Sequence, residues 1–397
     1  MKPLVLSALS TVNALGVGLD ATMRGLRENR SGLRFCDYED ARLDTYIGRI
    51  DGVEQAPIEG ALARYDCRNN RLAQMALRAD GFADAVAAAA GRYGADRIAL
   101  ILGTSTSGLR EGERAFARRA PDTGALPAEF HFTETQDHHS LAAFVQGYLG
   151  LRGPAATVST ACSSSAKVFA DAAQLIDAGI CDAAVVGGAD SLCLLTLYGF
   201  NSLELIAGTP CCPNDAARSG ISIGEAAGFA LLERADAAAG GAMARLLGYG
   251  ESADAYHMSA PHPEGLGAEL AMRRALEMAG LAPGDVDYIN AHGTGSRQND
   301  QVEDAAIARV FGDGMRSSST KGATGHTLGA AGILEIAICC LAMRHGFIPG
   351  NVNLRALDPA FRCRVEAATA AGTVRHALNN SFGFGGSNCS ILLGRPQ

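Results

Sequence analysis

An α/β protein whose sheet is covered on both faces is what this sequence predicts, and three observations carry the prediction. Strand-sized apolar runs recur along the chain: LVLSAL (4–9), RIALILG (97–103), AATVST (155–160), DAAVVGGA (182–189) and AGFALLE (227–233). They are continuous rather than alternating, as expected of strands buried on both faces. Alanine-rich helical stretches, notably 71–90 and 163–178, lie between them. A second series follows ERADAAAGGAMARLLGYG: VDYINAHG, a helix near 300–310, SSST, a helix over 328–344, and ALNNSFGFGGSNCSILLG. The Ala/Gly stretch at 236–241 marks the expected boundary between two halves, 1–238 and 239–397.

The composition suits a well-buried globular chain: 48 % of the 397 residues are hydrophobic and 19 % charged. A net charge of -8 leaves no electrostatic footprint for nucleic acid, so any basic docking patch must be local. The eleven cysteines include the adjacent pairs Cys211–Cys212 and Cys339–Cys340 but no C-x-x-C spacing, so no metal is expected. The opening MKPLVLSALSTVNALG reads as a first strand rather than a signal peptide. No window approaches about 18 uninterrupted apolar residues, so no membrane span is expected. A reducing, cytoplasmic setting follows as the expectation.

Cys162 lies where AATVST gives way to a helix. From Ser163 onward, Val168, Ala172, Leu175 and Ile176 recur at helical spacing, and Gly179 is a natural stop. A free cysteine is by itself a small buried hydrophobe. A cysteine at a helix N-terminus has a second reading, because unpaired amides and partial positive charge there stabilise a thiolate. That reading predicts a thiol pKa lowered towards neutrality, and a Cys162 N–H placed to hold an oxyanion.

Histidines occupy comparable turns. In VDYINAHGTGSRQND, His292 ends an apolar strand, either as a strand-end residue bonded to its loop or as a partner of a nucleophile. Thr294 and Ser296 add hydroxyls that hold a polar ligand or close the turn. In SSSTKGATGHTLGAAGILEIAICC, Lys321, His326 and Glu335 stand within fifteen residues. Glu335 falls about two and a half turns beyond His326, on an apolar helix where a carboxylate is costly unless paired. Lys321 is its nearest candidate partner, and such a pair would orient the histidine; a solvated lysine and a helix-surface glutamate are the alternative. Phe382-Gly383-Phe384-Gly385-Gly386 reads as an apolar flap with a flexible backbone. GTSTSG (103–108) is similar to a nucleophile elbow but lacks the order of Asp and His of a serine hydrolase. It is read as a pocket-lining loop, with Thr106 and Ser107 as substrate-binding candidates.

Together these segments resemble the condensing enzymes of the thiolase superfamily, in particular the β-ketoacyl-acyl-carrier-protein synthases of the I/II type. STACSSSA resembles the nucleophile motif, NAHGTGS the first histidine motif, STKGATGHTLGAAGILE the lysine–histidine–glutamate motif, and NNSFGFGGSN the closing loop. The resemblance covers nearly the whole chain. It implies a thiolase-like five-layer αβαβα fold of two pseudo-equivalent halves, usually dimeric. It implies an acyltransferase that joins an acyl thioester to malonyl-acyl carrier protein with loss of carbon dioxide, in fatty acid biosynthesis, and that needs no cofactor. Cys162 would then accept the acyl group, and His292 and His326 would bond the malonyl thioester carbonyl. Lys321 and Glu335 would set the electrostatics around the histidines. Phe384 would be gatekeeper and, with the amide of Cys162, the oxyanion hole, while Thr294 and Ser296 would contact the phosphopantetheine arm.

An acidic carrier needs a local basic patch, and ALARYDCRNNRLAQMALR supplies Arg64, Arg68, Arg71 and Arg78 near the region where the family binds its carrier. CSSSA, GTSTSGLREGE and RYDCRNNRL are similar to ketosynthases of aryl-polyene or polyketide pathways. That resemblance implies a heterodimer with a chain-length-factor-like subunit as the alternative to a homodimer. A non-catalytic chain-length subunit would lack the nucleophile or a histidine, and this sequence has Cys162, His292 and His326. A thiolase would need a second cysteine as base, for which Cys389 is the candidate. The third type of ketoacyl synthase uses Cys, His and Asn, a pattern that His326 disfavours.

Overall fold

The computed structural model describes residues 3–238 and 241–396. Ten strands run in one continuous path: β1 (Leu4–Asn13), β2 (Ile98–Gly103), β3 (Ala155–Val158), β4 (Ala183–Asp190), β5 (Ala226–Arg234), β6 (Ala244–Ala253), β7 (Tyr288–Asn290), β8 (Ser317–Ser318), β9 (His376–Gly383) and β10 (Ser387–Gly394). Their order is β8-β7-β9-β10-β6-β1-β5-β4-β2-β3. The first five and the last five strands repeat one topology. In each half the second strand is parallel to the third and fourth, while the fifth is antiparallel to the fourth and first. The half-sheets join only where Leu4–Leu6 of β1 meets Ala244–Leu246 of β6. The expected dividing point at 238/239 falls at residues 239–240, outside the described residues.

Seven helices make the layers: α1 (Arg68–Arg78), α2 (Phe82–Tyr93), α3 (His139–Leu149), α4 (Ser164–Asp177), α5 (Leu266–Ala279), α6 (Arg297–Phe311) and α7 (Ala331–His345). The apolar runs lack alternation because both faces of the strands are covered. In β2, Leu100 and Leu102 pack with Phe82 and Phe144 of the outer helices. Ala99 and Ile101 point the other way, towards Phe169 of α4 and Ile336 of α7. On the far side, Met272 of α5 and Ile307 of α6 cover Ile289, Leu378 and Leu392. The helices α4 and α7 each touch strands of both halves and form the middle layer. The result is five layers.

Two expectations change. The stretch 71–90 is two helices, because Asp80 and Gly81 turn left-handed at φ 56° and 70°. The 328–344 helix opens with a tight turn at Leu328–Ala330 before α7 proper. Segment Leu328–His345 is long and apolar enough to cross a membrane by length and composition, but 89 % of it is buried inside the protein. A middle-layer helix is apolar all round because sheets cover it on both sides.

Glycines set how closely the middle layer packs. A Cβ on Gly332 would lie 2.6 Å from the Ala166 nitrogen, and one on Gly103 would lie 2.4 Å from the Ser165 nitrogen. Replacing Gly332 with valine is expected to destabilise the protein by roughly 1–3 kcal/mol, read as a lower urea midpoint. An unchanged midpoint would refute this close approach of α4 and α7.

Candidate active site

The turn between β3 and α4 carries Cys162. Ala161 is left-handed at φ 52°, and its carbonyl accepts the Ser164 hydroxyl at 2.6 Å, while the Thr160 N–H donates to Ser164 Oγ at 2.9 Å. These bonds wind the chain tightly into the first turn of α4, and the cysteine is only 5 % exposed. The 383–386 loop presses on this turn: a Cβ on Gly383 would sit 2.7 Å from the Thr160 carbonyl oxygen and 3.2 Å from the Cys162 nitrogen. The Phe384 amide favours the thiolate form of Cys162. The ring of Phe384 stacks obliquely on Phe200, 5.5 Å between centroids.

In the second half the turn after β8, the counterpart of β3, carries Lys321 and His326. His326 donates its backbone N–H to the Ser222 carbonyl at 2.7 Å, and its Nε2 stands 3.1 Å from Cys162 Sγ. Its ring lies 5.2 Å from that of His292 at an interplanar angle of 82°. Buried Lys321 donates to the His292 carbonyl oxygen and to Glu335 Oε1. Glu335 is the fifth residue of α7, one turn in, because the helix proper begins at Ala331. The pair expected from sequence is thus formed, and the lysine reaches the histidine through its backbone.

Sequence reasoning missed Glu303. Its carboxylate accepts the backbone N–H groups of His292 and Gly293, each at 2.8 Å, and Asn380 Nδ2 at 3.1 Å. It therefore pins the histidine turn onto α6. A signal was available: Asp300, Glu303 and Asp304 recur on one buried helical face, which demands polar partners.

Burial dominates the electrostatics. It pushes the Cys162 thiol up to about 12 against the pull of the Lys321 ammonium, the opposite direction to the fall expected from the helix N-terminus. Both histidines are held well below the usual imidazole range, first by burial and then by Lys321. They are neutral. Burial also raises Glu303 and Glu335 to about 7. Nδ1 of each ring is buried without a partner, so no hydrogen bond ties the ring proton to that nitrogen. A proton on Nε2 faces the sulfur and the cavity instead.

One cavity of about 320 Å³ opens onto this group, lined by Cys162, His292, His326, Phe384, Thr294 and Ser296 among others. The Thr294 and Ser296 hydroxyls lie 3.0 Å apart, and Ser296 also caps α6. The Cys162 sulfur and a ring nitrogen of each histidine lie within 4.8 Å of one another. That donor set suits zinc in kind, but the adjacent Lys321 ammonium opposes a second cation.

Other candidates lie elsewhere. Thr106 and Ser107 are buried away from the cavity. Thr106 bonds Asp190, and Ser107 donates to the Asp137 carbonyl at 2.9 Å, so neither is a cavity-lining residue. Arg68 is fully buried, with Nε 2.8 Å from Glu225 Oε2 and a further pair to Glu54. It holds the core and is not a docking residue. Arg71 is paired with Asp66 at 2.5 Å, whereas Arg64 and Arg78 are exposed. Cys389, on β10, is fully buried and is not among the residues that line the cavity.

Family models described as Beta-ketoacyl synthase match this chain over residues 1–238 (N-terminal domain) and 243–355 (C-terminal domain). The chain belongs to the beta-ketoacyl synthase family. It is an acyl-transferring condensing enzyme of the thiolase-like fold. Nodulation protein E of Rhizobium meliloti (strain 1021) is 33 % identical over 98 % of both chains. A 3-oxoacyl-[acyl-carrier-protein] synthase 2 of the same organism is 41 % identical over 62 % of this chain and 62 % of its own. Among solved structures, a ketosynthase in complex with its chain length factor from Xenorhabdus doucetiae superposes with a TM-score of 0.90. It is 38 % identical and covers 99 % of this chain and 98 % of its own.

Two outcomes check this electrostatic account of the ketosynthase site. Lys321→Met strands the buried Glu335 carboxylate and is expected to cost roughly 3–5 kcal/mol, seen in urea denaturation at pH 8. The double variant Lys321→Met/Glu335→Leu should regain most of that loss; failure to regain it would disprove the pairing. For Cys162, the rate of inactivation by iodoacetamide should keep rising from pH 7 to 9, since the thiol titrates above that range. A plateau below pH 8 would mark a preformed thiolate.

Proposed function

We propose that this ketosynthase transfers an acyl group from a carrier protein to Cys162 and condenses it with a malonyl unit on a second carrier. The observation that carries the reading is the buried contact of Cys162 Sγ with His326 Nε2 at 3.1 Å, with His292 beside it at the same cavity.

In the first half-reaction the sulfur attacks the acyl thioester. The Nε2–H of neutral His326 bonds the sulfur while the thiol proton passes through solvent to the departing pantetheine sulfur, which leaves as a thiol, so both rings keep their Nε2–H. The tetrahedral oxyanion is held by the amides of Cys162 and Phe384. In the second half-reaction the malonyl C–C bond breaks and carbon dioxide leaves. The electron pair delocalises onto the thioester oxygen, which His292 and His326 hold through Nε2–H donors. Neutral rings suit this work, because they donate without requiring a buried charge beforehand. The carbanion then attacks the acyl-cysteine carbonyl, and the Cys162 sulfur leaves and takes a proton from solvent. No cofactor enters these steps. Thr294 and Ser296 face the arm that delivers both thioesters, and exposed Arg64 is a candidate contact for the acidic carrier.

A role in fatty acid elongation draws on the relatives named 3-oxoacyl-[acyl-carrier-protein] synthase. Aryl-polyene or polyketide assembly in a heterodimer with a chain-length-factor subunit is supported by the full-length likeness to a ketosynthase with that partner, at 38 % identity. The second reading has the broader support. A non-catalytic role is disfavoured by the complete set of Cys162, His292 and His326.

The test uses the purified chain, alone and with a co-expressed chain-length-factor-like subunit, given acyl carriers of varied length and malonyl carrier. Intact mass should show an acyl adduct that vanishes in Cys162→Ala. His326→Ala should still accept the acyl group, though more slowly, and should lose decarboxylation by at least about a hundredfold. An acyl adduct persisting in Cys162→Ala, or equal loss of both steps in His326→Ala, would overturn the assignment.

A further inference from the structure

Asp190, the last residue of β4, is fully buried and takes no part in the steps above. Its Oδ1 accepts the Thr104 hydroxyl at 2.7 Å and the Thr106 hydroxyl at 2.8 Å. The same oxygen accepts the backbone N–H groups of Ser105 and Thr106, each at 2.8 Å. Its Oδ2 accepts the Gly329 N–H at 2.5 Å. Three of these five donors are amides that cannot reverse their role, so the site requires an acceptor at both oxygens.

Both ends of this array lead to the reacting pair. Ser105 donates its hydroxyl to the Ala161 carbonyl at 3.1 Å, and Ala161 is the left-handed residue directly before Cys162. Gly329 follows Leu328, a second left-handed residue at φ 52°, two positions after His326. The packing leaves no slack: a Cβ on Gly329 would fall 2.7 Å from both Asp190 Oδ2 and Ser105 Oγ. Two strained turns from different halves of the chain are thus tied to one carboxylate.

We propose that Asp190 is a positioning residue that clamps the Cys162 turn against the His326 turn and so holds sulfur and imidazole at reacting distance. This rests on Cys162 being the acylated residue. Chemical alkylation of the sulfur provides a readout that needs no carrier substrate.

The experiment compares Asp190→Asn, Ser105→Ala and Ser105→Thr with the natural protein. Asparagine keeps one acceptor but sets an NH2 against an N–H donor at one end of the array. In Asp190→Asn, first-order acylation of Cys162 and its alkylation by iodoacetamide should each slow by at least about tenfold. KM for the acyl carrier should stay within about twofold, since the cavity mouth is untouched. Ser105→Ala, which removes only the link to Ala161, should slow both reactions with no change in the urea midpoint, and Ser105→Thr should restore them. Natural alkylation and acylation rates in a folded Asp190→Asn overturn the proposal. If Asp190→Asn does not fold, natural rates in Ser105→Ala overturn it. If the natural protein is alkylated at Cys162 but never acylated, the proposed function fails, and the alkylation rates still decide the role of Asp190.

Discussion

The close contact between the starts of α4 and α7 is the constraint on which the rest of the molecule depends. Each helix begins after the third strand of its own half-sheet, and the half-sheets stack with these two helices between them. Gly332 against Ala166 and Gly103 against Ser165 bring backbone to backbone at that point. The turns preceding the two helices carry Cys162 and His326, so the packing of the middle layer sets the distance between nucleophile and imidazole. A side chain at Gly332 would force α4 and α7 apart before any catalytic group was altered.

Burying the reacting groups this deeply has an electrostatic consequence. Desolvation keeps the thiol protonated and both imidazoles neutral, so charge sits on the groups around the reacting atoms, such as the Lys321–Glu335 pair, rather than on them. A neutral donor set is suited to an intermediate whose negative charge appears only when carbon dioxide departs. The pair is distant from solvent and fully enclosed, which makes it costly to break and fixes the backbone of His292 through its carbonyl. Glu303 does the same from the other side through the amides of His292 and Gly293. The first histidine is therefore held by its main chain, leaving its ring to the cavity.

Much of the fold was legible because its strands and helices carry strong local patterns. The unbroken apolar runs forecast strands covered on both faces, and the helix after Cys162 follows from its spacing to within a residue at each end. The single long helix expected at 71–90 failed at Asp80 and Gly81, where two left-handed residues interrupt an otherwise helical composition. The apolar segment 328–345 shows the opposite limit: composition alone does not distinguish a helix between two sheets from one in a lipid bilayer. Arg68 looked like a surface cation because nothing in its own segment reveals Glu225, which lies 157 residues away.

By itself the sequence determined the local chemistry: a cysteine at a strand–helix turn, histidines after two further strands, a lysine and glutamate one motif apart, and a flexible glycine loop. These follow from short-range spacing, which chain geometry enforces. Only the tertiary structure decided the protonation of Cys162, the burial of Arg68, the displacement of Thr106 and Ser107 from the cavity, and the roles of Glu303 and Asp190. Each of these depends on dielectric and on partners brought from distant segments, and neither is encoded in the neighbourhood of the residue concerned.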